Sequence, residues 1–158
     1  MNARLTPTQS RRETRRRDEF RHWMTLPVRW GDMDSLGHVN NAKFFTYGEE
    51  ARQTYFNEYA AHDPVFWKDY SVILARVACD FIQQLHHPAT LDLGTRVVRM
   101  GRSSLGVTTA MFRDNVLVAV QDAVLVWFDY RNQKVEQIPQ TTRDWIRANE
   151  IVAPRENE

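Results

Sequence analysis

Phe44, Gly48, Ala51, Tyr55 and Tyr59 recur at spacings of three and four, which places them on one face of an α-helix. Asn40 or Asn41 can cap its start, and the pattern runs to about Tyr59. A glycine inside a helix costs about 1 kcal/mol relative to alanine. At Gly48, with Ala51 one turn on, the expected compensation is close approach to another packed surface. Glu49, Glu50 and Arg52 fall off this stripe and are expected in solvent. A helix of this length in a chain of 158 residues is expected to be central.

Strand patterns surround it. Before the helix, His22 to Trp30 reads as a strand, with Gly31 allowing a bend and Asp32 to Gly37 carrying turn chemistry. After it, Asp63-Pro64 breaks the chain. Ser71 to Leu85 then alternates, with Ile73, Ala75, Val77, Cys79 and Phe81 on one face. Leu91 to Arg102 is a further strand interrupted at Gly94, and Ser104 to Arg113 another. Asp114-Asn115 suits a two-residue hairpin turn. Val116 to Tyr130 alternates Val118, Val120, Asp122, Val124, Val126 and Phe128 against Ala119, Gln121, Ala123, Leu125 and Trp127. A short helix over 141–149 closes the domain. Short connections favour antiparallel pairing, and a helix beside such a sheet is α+β packing. The divisions expected are a basic arm over 1–20, one domain over 21–150 and a charged tail over 151–158.

Composition narrows the class. Hydrophobic residues make up 42% and charged residues 26%, as in soluble globular proteins. No apolar run reaches the ~20 residues of a membrane-spanning helix. The N-terminus lacks the apolar stretch of a secretory signal. One cysteine, Cys79, rules out an internal disulfide and suits a reducing compartment such as the cytoplasm. A net charge of +1 argues against nucleic-acid binding by the body of the protein. The arm over 1–20 contains Arg11-Arg12-Glu13-Thr14-Arg15-Arg16-Arg17, and Ser10 with Glu13 has capping-box spacing. It is read either as a solvated arm or as a contact for an anionic partner.

The chemistry-bearing stretch is Asp32-Met33-Asp34-Ser35-Leu36-Gly37-His38-Val39-Asn40-Asn41. Asp32 and Asp34 are either a carboxylate pair with divided roles or turn and capping residues. Asn41 lies at or near a helix N-terminus, where unpaired N–H groups and the dipole favour an oxyanion. A carboxylate seven residues earlier, across a glycine turn, can reach the same reacting atom. A general base and an oxyanion donor suffice in kind for hydrolysing an activated acyl group. His38 either bonds the substrate or braces the turn. His86 and His87 lack the pattern of a metal site and are expected to face solvent. Cys79 reads as a core thiol rather than a nucleophile. Ser103 and Ser104 lack a Gly-x-Ser-x-Gly elbow; they either touch a ligand or mark a strand entry.

Arg29-Trp30-Gly31-Asp32-Met33-Asp34, Gly37-His38-Val39-Asn40-Asn41 and Glu50-Ala51-Arg52 closely resemble the hot-dog thioesterases of the 4-hydroxybenzoyl-CoA thioesterase type. Asp80-Phe81, Gly101-Arg102-Ser103-Ser104 and the last long strand extend the resemblance across roughly 24–140. It implies a hot-dog fold, a curved antiparallel sheet of about five strands wrapped around a long central helix. It implies a homodimer whose sheets join, or a tetramer of paired dimers, with active sites at the subunit interface. The substrate implied is an acyl-CoA thioester, with no metal or other cofactor. By the same resemblance Asp34 aligns with the catalytic carboxylate, as nucleophile or as base for water. The Asn41 N–H aligns with the oxyanion donor. Gly37, His38 and Asn40 would line the site, and Gly101, Arg102, Ser103 and Ser104 would lie near the pantetheine or nucleotide in a partner subunit. Two other readings are a hot-dog hydratase using Asp34 with His38, and a non-catalytic acyl-CoA-binding module.

Overall fold

The computed structural model describes residues 15–156; Ser10, Glu13 and most of the arginine arm lie outside the described residues. The long strands are β1 (His22–Pro27), β2 (Tyr70–Phe81), β3 (Thr90–Met100), β4 (Ser104–Arg113) and β5 (Val116–Asp129). They form one antiparallel sheet in the order β1-β3-β4-β5-β2. The central helix, α1 (Asn41–Ala60), touches all five. This is the curled α+β arrangement expected for a hot-dog fold. Short strands β6 (Lys134–Val135) and β7 (Arg155–Glu156) pair with β5 and β3, and α2 (Gln140–Asn149) covers the C-terminal half of α1.

Burial follows the alternation along the strands. Leu93, Met111 and Ala119 stand in register on the face toward α1, as do Val97, Val107 and Ala123. Phe44, Tyr47 and Ala51 pack with the first set, while Tyr55, Phe56 and Tyr59 pack with Val97, Leu105, Leu125 and Trp127 at the other end. Asp114 and Asn115 adopt positive φ, 47° and 65°, making the tight β4–β5 hairpin that their residue types favour.

The Gly48 expectation has a specific partner. A Cβ there would fall 1.9 Å from Gln121 Oε1. Gln121 is fully buried, donates Nε2–H to the Phe44 carbonyl and accepts from Arg52 Nη1. Arg52 is therefore not in solvent as its place off the stripe suggested; it is 7% exposed, drawn in by the one amide that Gly48 admits.

Other expectations for the strands need correction. The first strand ends at Pro27, three residues early, because Trp30–Asp32 turns into a single 3-10 turn. β2 ends at Phe81, and a bulge at Ala75 changes its faces. Val77, Cys79 and Phe81 pair with Ala123, Gln121 and Ala119 on the inner side, whereas Ile73 pairs with Val126 on the outer side; one inserted residue inverts the alternation. β3 is not interrupted at Gly94 and stops at Met100; its irregularity falls between Val97 and Arg99. Gly94 instead lets Phe20 lie on the sheet, since a Cβ would come 2.7 Å from that ring.

Phe20 belongs to a stretch that is packed, not solvated. Arg15 reaches Asp122, and Arg17 lies 4.4 Å over the Trp23 ring while bonding Asp92. Residues 15–20 thus cross the sheet face opposite α1. At the other terminus, Arg147 and Arg143 pair with Glu156, so part of the charged tail is held as β7.

Gly48→Ala should lower folding stability by about 1–3 kcal/mol, the usual effect of overpacking. Gln121 is tied at both polar atoms and cannot swing away without losing the Phe44 or Arg52 bond. Urea denaturation reads this directly; an unchanged midpoint would show that Gln121 yields freely.

Candidate active site

The segment between β1 and α1 is built around two carboxylates with opposite surroundings. Asp32 closes the 3-10 turn and is buried. Its Oδ2 accepts from the Arg29 N–H (3.1 Å) and from the Tyr47 hydroxyl (2.6 Å), and its carbonyl accepts the Asn40 N–H (2.9 Å). Burial pushes the Asp32 carboxyl up, but those two donors and the charges of Arg29 and Lys43 outweigh it and hold it below its usual 3.8. The Tyr47 hydroxyl is pushed well above its usual value, by burial first and then by Asp32. Tyr47 is thus committed to holding Asp32.

Asp34 sits in the next turn. Its Oδ1 accepts from Leu36 N–H (2.9 Å) and, at longer range, from His38 N–H (3.4 Å). Its backbone N–H donates to the His38 carbonyl (2.8 Å), and its carbonyl accepts from Gly37 N–H (3.1 Å). Gly37 has φ +80°, a conformation glycine adopts without strain. The two carboxylate oxygens differ: Oδ2 has no hydrogen-bond partner among the described residues.

The helix start completes the arrangement. Asn40 caps α1 by accepting the Ala42 N–H at 3.0 Å, and its carbonyl accepts the Lys43 N–H. The Asn41 N–H finds no acceptor among the described residues. Asp34, His38 and Asn41 line one cavity of about 420 Å³, faced by Phe44, Phe81 and residues 82–85. A second recess of about 440 Å³, with Trp30, Gly31, Met33, Gly37 and His87 on its walls, also includes Asp34. The Asp34 turn is therefore the partition between two hollows. Trp30 and Leu36 beside it are each 79% exposed.

Other sequence candidates fall elsewhere. Gly101, Arg102, Ser103 and Ser104 make the β3–β4 turn at the opposite end of the sheet, where the Ser103 carbonyl accepts from Trp127 and the Arg102 carbonyl from Ile138. Within one chain they do not meet Asp34. Asn40 acts as a cap and is not on the cavity wall. Cys79 is half-buried, with its thiol pushed up to about 12 chiefly by burial, which suits a packed thiol better than a nucleophile. Among the described residues no group of three or more His, Cys, Asp or Glu side chains could hold a metal ion, and no helix is long and apolar enough to cross a membrane.

The sequence pattern gives no sign of the part played by residues 81–86. Phe81 through Leu85 form the cavity wall opposite Asp34, and the His86 ring lies 4.9 Å from that of His38. The sequence places His86 and His87 in solvent, and both are exposed, yet the His86 ring also reaches the Asp34 turn. Nothing local marks its place at the site; β2 alone carries it across to the Asp34 turn.

A curled sheet thus wraps one helix, with a carboxylate set beside that helix's N-terminus. Residues 28–146 match the family model of the thioesterase-like superfamily, and the chain belongs to it. A thioesterase of Thermus thermophilus, solved complexed with coenzyme A and Zn, superposes with a TM-score of 0.72 at 30% identity, covering 84% of this chain and 96% of that one. The PA5185 protein of Pseudomonas aeruginosa strain PAO1 superposes with a TM-score of 0.75 at 28% identity, covering 87% and 96%. The uncharacterised protein YsmA of Bacillus subtilis (strain 168) is 29% identical over 93 residues, 54% of this chain; the chain spans 62% of that relative's length.

The Asp32–Tyr47 bond yields a pH-dependent expectation. A carboxyl lowered in the folded state adds stability above its unfolded value, and that stability is lost as pH falls through the folded value. Tyr47→Phe should therefore cost about 1–3 kcal/mol at neutral pH. The gap from wild type should shrink as pH falls below the usual 3.8 of Asp32. Urea midpoints across that range check it; a gap independent of pH would mean the bond does not favour the ionised carboxylate.

Proposed function

We propose that this protein hydrolyses an acyl-CoA thioester, with Asp34 as nucleophile or general base and the Asn41 N–H as oxyanion donor. One observation carries the reading: Asp34 and Asn41, whose N–H has no acceptor among the described residues, line the same cavity. Membership of the thioesterase-like superfamily supports hydrolysis as the reaction class, and the coenzyme A bound by the Thermus thermophilus thioesterase supports CoA as the carrier.

The chemistry is short. As base, the Asp34 carboxylate takes a proton from a water that attacks the thioester carbon and returns it to the departing sulfur; as nucleophile, it attacks that carbon itself and the thiolate takes its proton from solvent. Negative charge forms on the carbonyl oxygen at the Asn41 N–H, where the helix dipole favours it. The C–S bond then breaks, releasing CoA thiol and the free acid, the covalent route needing a water to hydrolyse the acyl-enzyme. His38 sits on the same wall, within reach of the carbonyl or leaving group. The two recesses flanking Asp34 suit a substrate that crosses it, with acyl group on one side and pantetheine arm on the other.

The working form in this reading is a homodimer, with pairing into a tetramer as the larger form. β2 is a sheet edge, and Ile73, Leu74 and Phe81 on it are each more than a third exposed. An exposed apolar edge strand is a template for pairing with another strand. Antiparallel pairing of two β2 edges would set the Gly101–Ser104 turn of one copy toward the Asp34 end of the other.

Free-thiol release from short, medium, long and aromatic acyl-CoAs tests the reading, run beside Asp34→Asn. The asparagine retains an oxygen for the Leu36 and His38 amides, so the turn should persist. Turnover of the best substrate should fall by about 10²–10⁴, the range for a lost general base. Unchanged turnover in the folded variant would remove Asp34 from the mechanism. Loss of enoyl-thioester absorbance without thiol release would transfer the site to a hydratase.

A further inference from the structure

Residues 35–37 of the Asp34 turn are exposed, so apolar packing does not hold the turn that presents the carboxylate. What holds it from outside is the segment following β2, which doubles back alongside. Val39 N–H donates to the Leu85 carbonyl at 2.8 Å, and His87 N–H lies 3.3 Å from the Met33 sulfur. Between these two ties lies a third: His86 Nδ1 is 2.7 Å from the Gly37 carbonyl. A carbonyl oxygen only accepts, so His86 carries its proton on Nδ1.

Gly37 is the pivot of the turn. Its own N–H is bonded to the Asp34 carbonyl, and the next residue, His38, gives its N–H to Asp34 Oδ1 and accepts Asp34 N–H on its carbonyl. A Cβ on Gly37 would meet nothing within 4 Å, so no packed neighbour braces the turn at that residue. The His86 bond fixes the peptide linking Gly37 to His38, whose N–H belongs to that same peptide unit. It therefore sets the direction of one of the two amides on the carboxylate.

We propose that His86 is a positioning residue for Asp34: by holding the Gly37 carbonyl it fixes the turn whose amides orient the carboxylate. Its activity readout rests on Asp34 being the catalytic group; its structural readout does not. A shift of about 1 Å in a reacting group can reduce rate by about 10², so a single bond at this pivot has a large lever.

Three variants test it. His86→Asn keeps an N–H donor the same number of bonds from Cα as Nδ1; His86→Gln places the donor one bond further out; His86→Ala removes it. Amide exchange at Leu36 and His38, followed by NMR, should be faster in His86→Ala and His86→Gln and close to wild type in His86→Asn. With the best acyl-CoA substrate, kcat should fall about tenfold or more in Ala and Gln with KM within about twofold, and Asn should recover most of it, as expected for misplacement rather than lost binding. Unchanged exchange in His86→Ala would overturn the proposal, as would an Asn variant no better than Gln. Should Ala fail to fold, the Asn–Gln comparison decides. Should no acyl-CoA be turned over, exchange still decides the role of His86, and only the catalytic reading of Asp34 falls.

Discussion

The bond from the Tyr47 hydroxyl to the buried Asp32 carboxylate is the joint on which the site depends. Tyr47 lies almost two turns into α1, and Asp32 lies before the Asp34 turn. The bond therefore ties the incoming chain to the helix it will become. With the Asn40 N–H on the Asp32 carbonyl, it leaves residues 33–39 as a closed loop of fixed span. A buried carboxylate without donors would be driven to protonate. Here donors and nearby cations keep it ionised, and the charge it retains strengthens the bonds that define the loop.

The second constraint is the approach of α1 to the sheet. Gly48 lets Gln121 reach the helix backbone, and Gln121 then gives the Arg52 guanidinium its hydrogen-bond acceptor. Burial drives the Arg52 value down, against the opposing charge of Glu49. A buried cation served by a neutral amide is a demanding arrangement. It persists because the amide is pinned at its other end to the Phe44 carbonyl, in the same helix turn that walls the Asp34 cavity. Helix depth and cavity shape are thus set by one side chain of β5.

Much of this is legible in the sequence. The helix bounds, β4 and the Asp114-Asn115 hairpin emerge where local pattern and local chemistry agree. The Asp34, His38 and Asn41 grouping is legible because those residues are close in the chain. What the sequence hides has non-local causes. The bulge at Ala75 inverts the face of half of β2, and no local residue type announces it. Gly94 looks like a break because its reason, Phe20, lies more than seventy residues away. Arg52 looks solvated because its partner is on β5. The His86 contact has no local signal, since it depends on where β2 delivers the chain.

The two ends of α1 are stabilised by different physics. At the C-terminal end Tyr55, Phe56 and Tyr59 pack with Phe66, Trp127 and Trp145, and Glu150 receives both the Tyr55 hydroxyl and the Val97 N–H. Burial pushes that carboxyl up to about 7. The N-terminal end is polar and open, with an unpaired helix-start N–H among the described residues, two hollows and exposed Trp30 and Leu36. Dispersion and apolar burial tolerate no vacancy and hold the helix rigid at one end. Hydrogen bonds of defined direction shape the other end while leaving room for a ligand. The first amides of a helix have no partner within it, so a helix held by apolar packing can leave its first amide to a ligand. The stability that would otherwise require a filled cavity comes from about 20 Å away along the same helix.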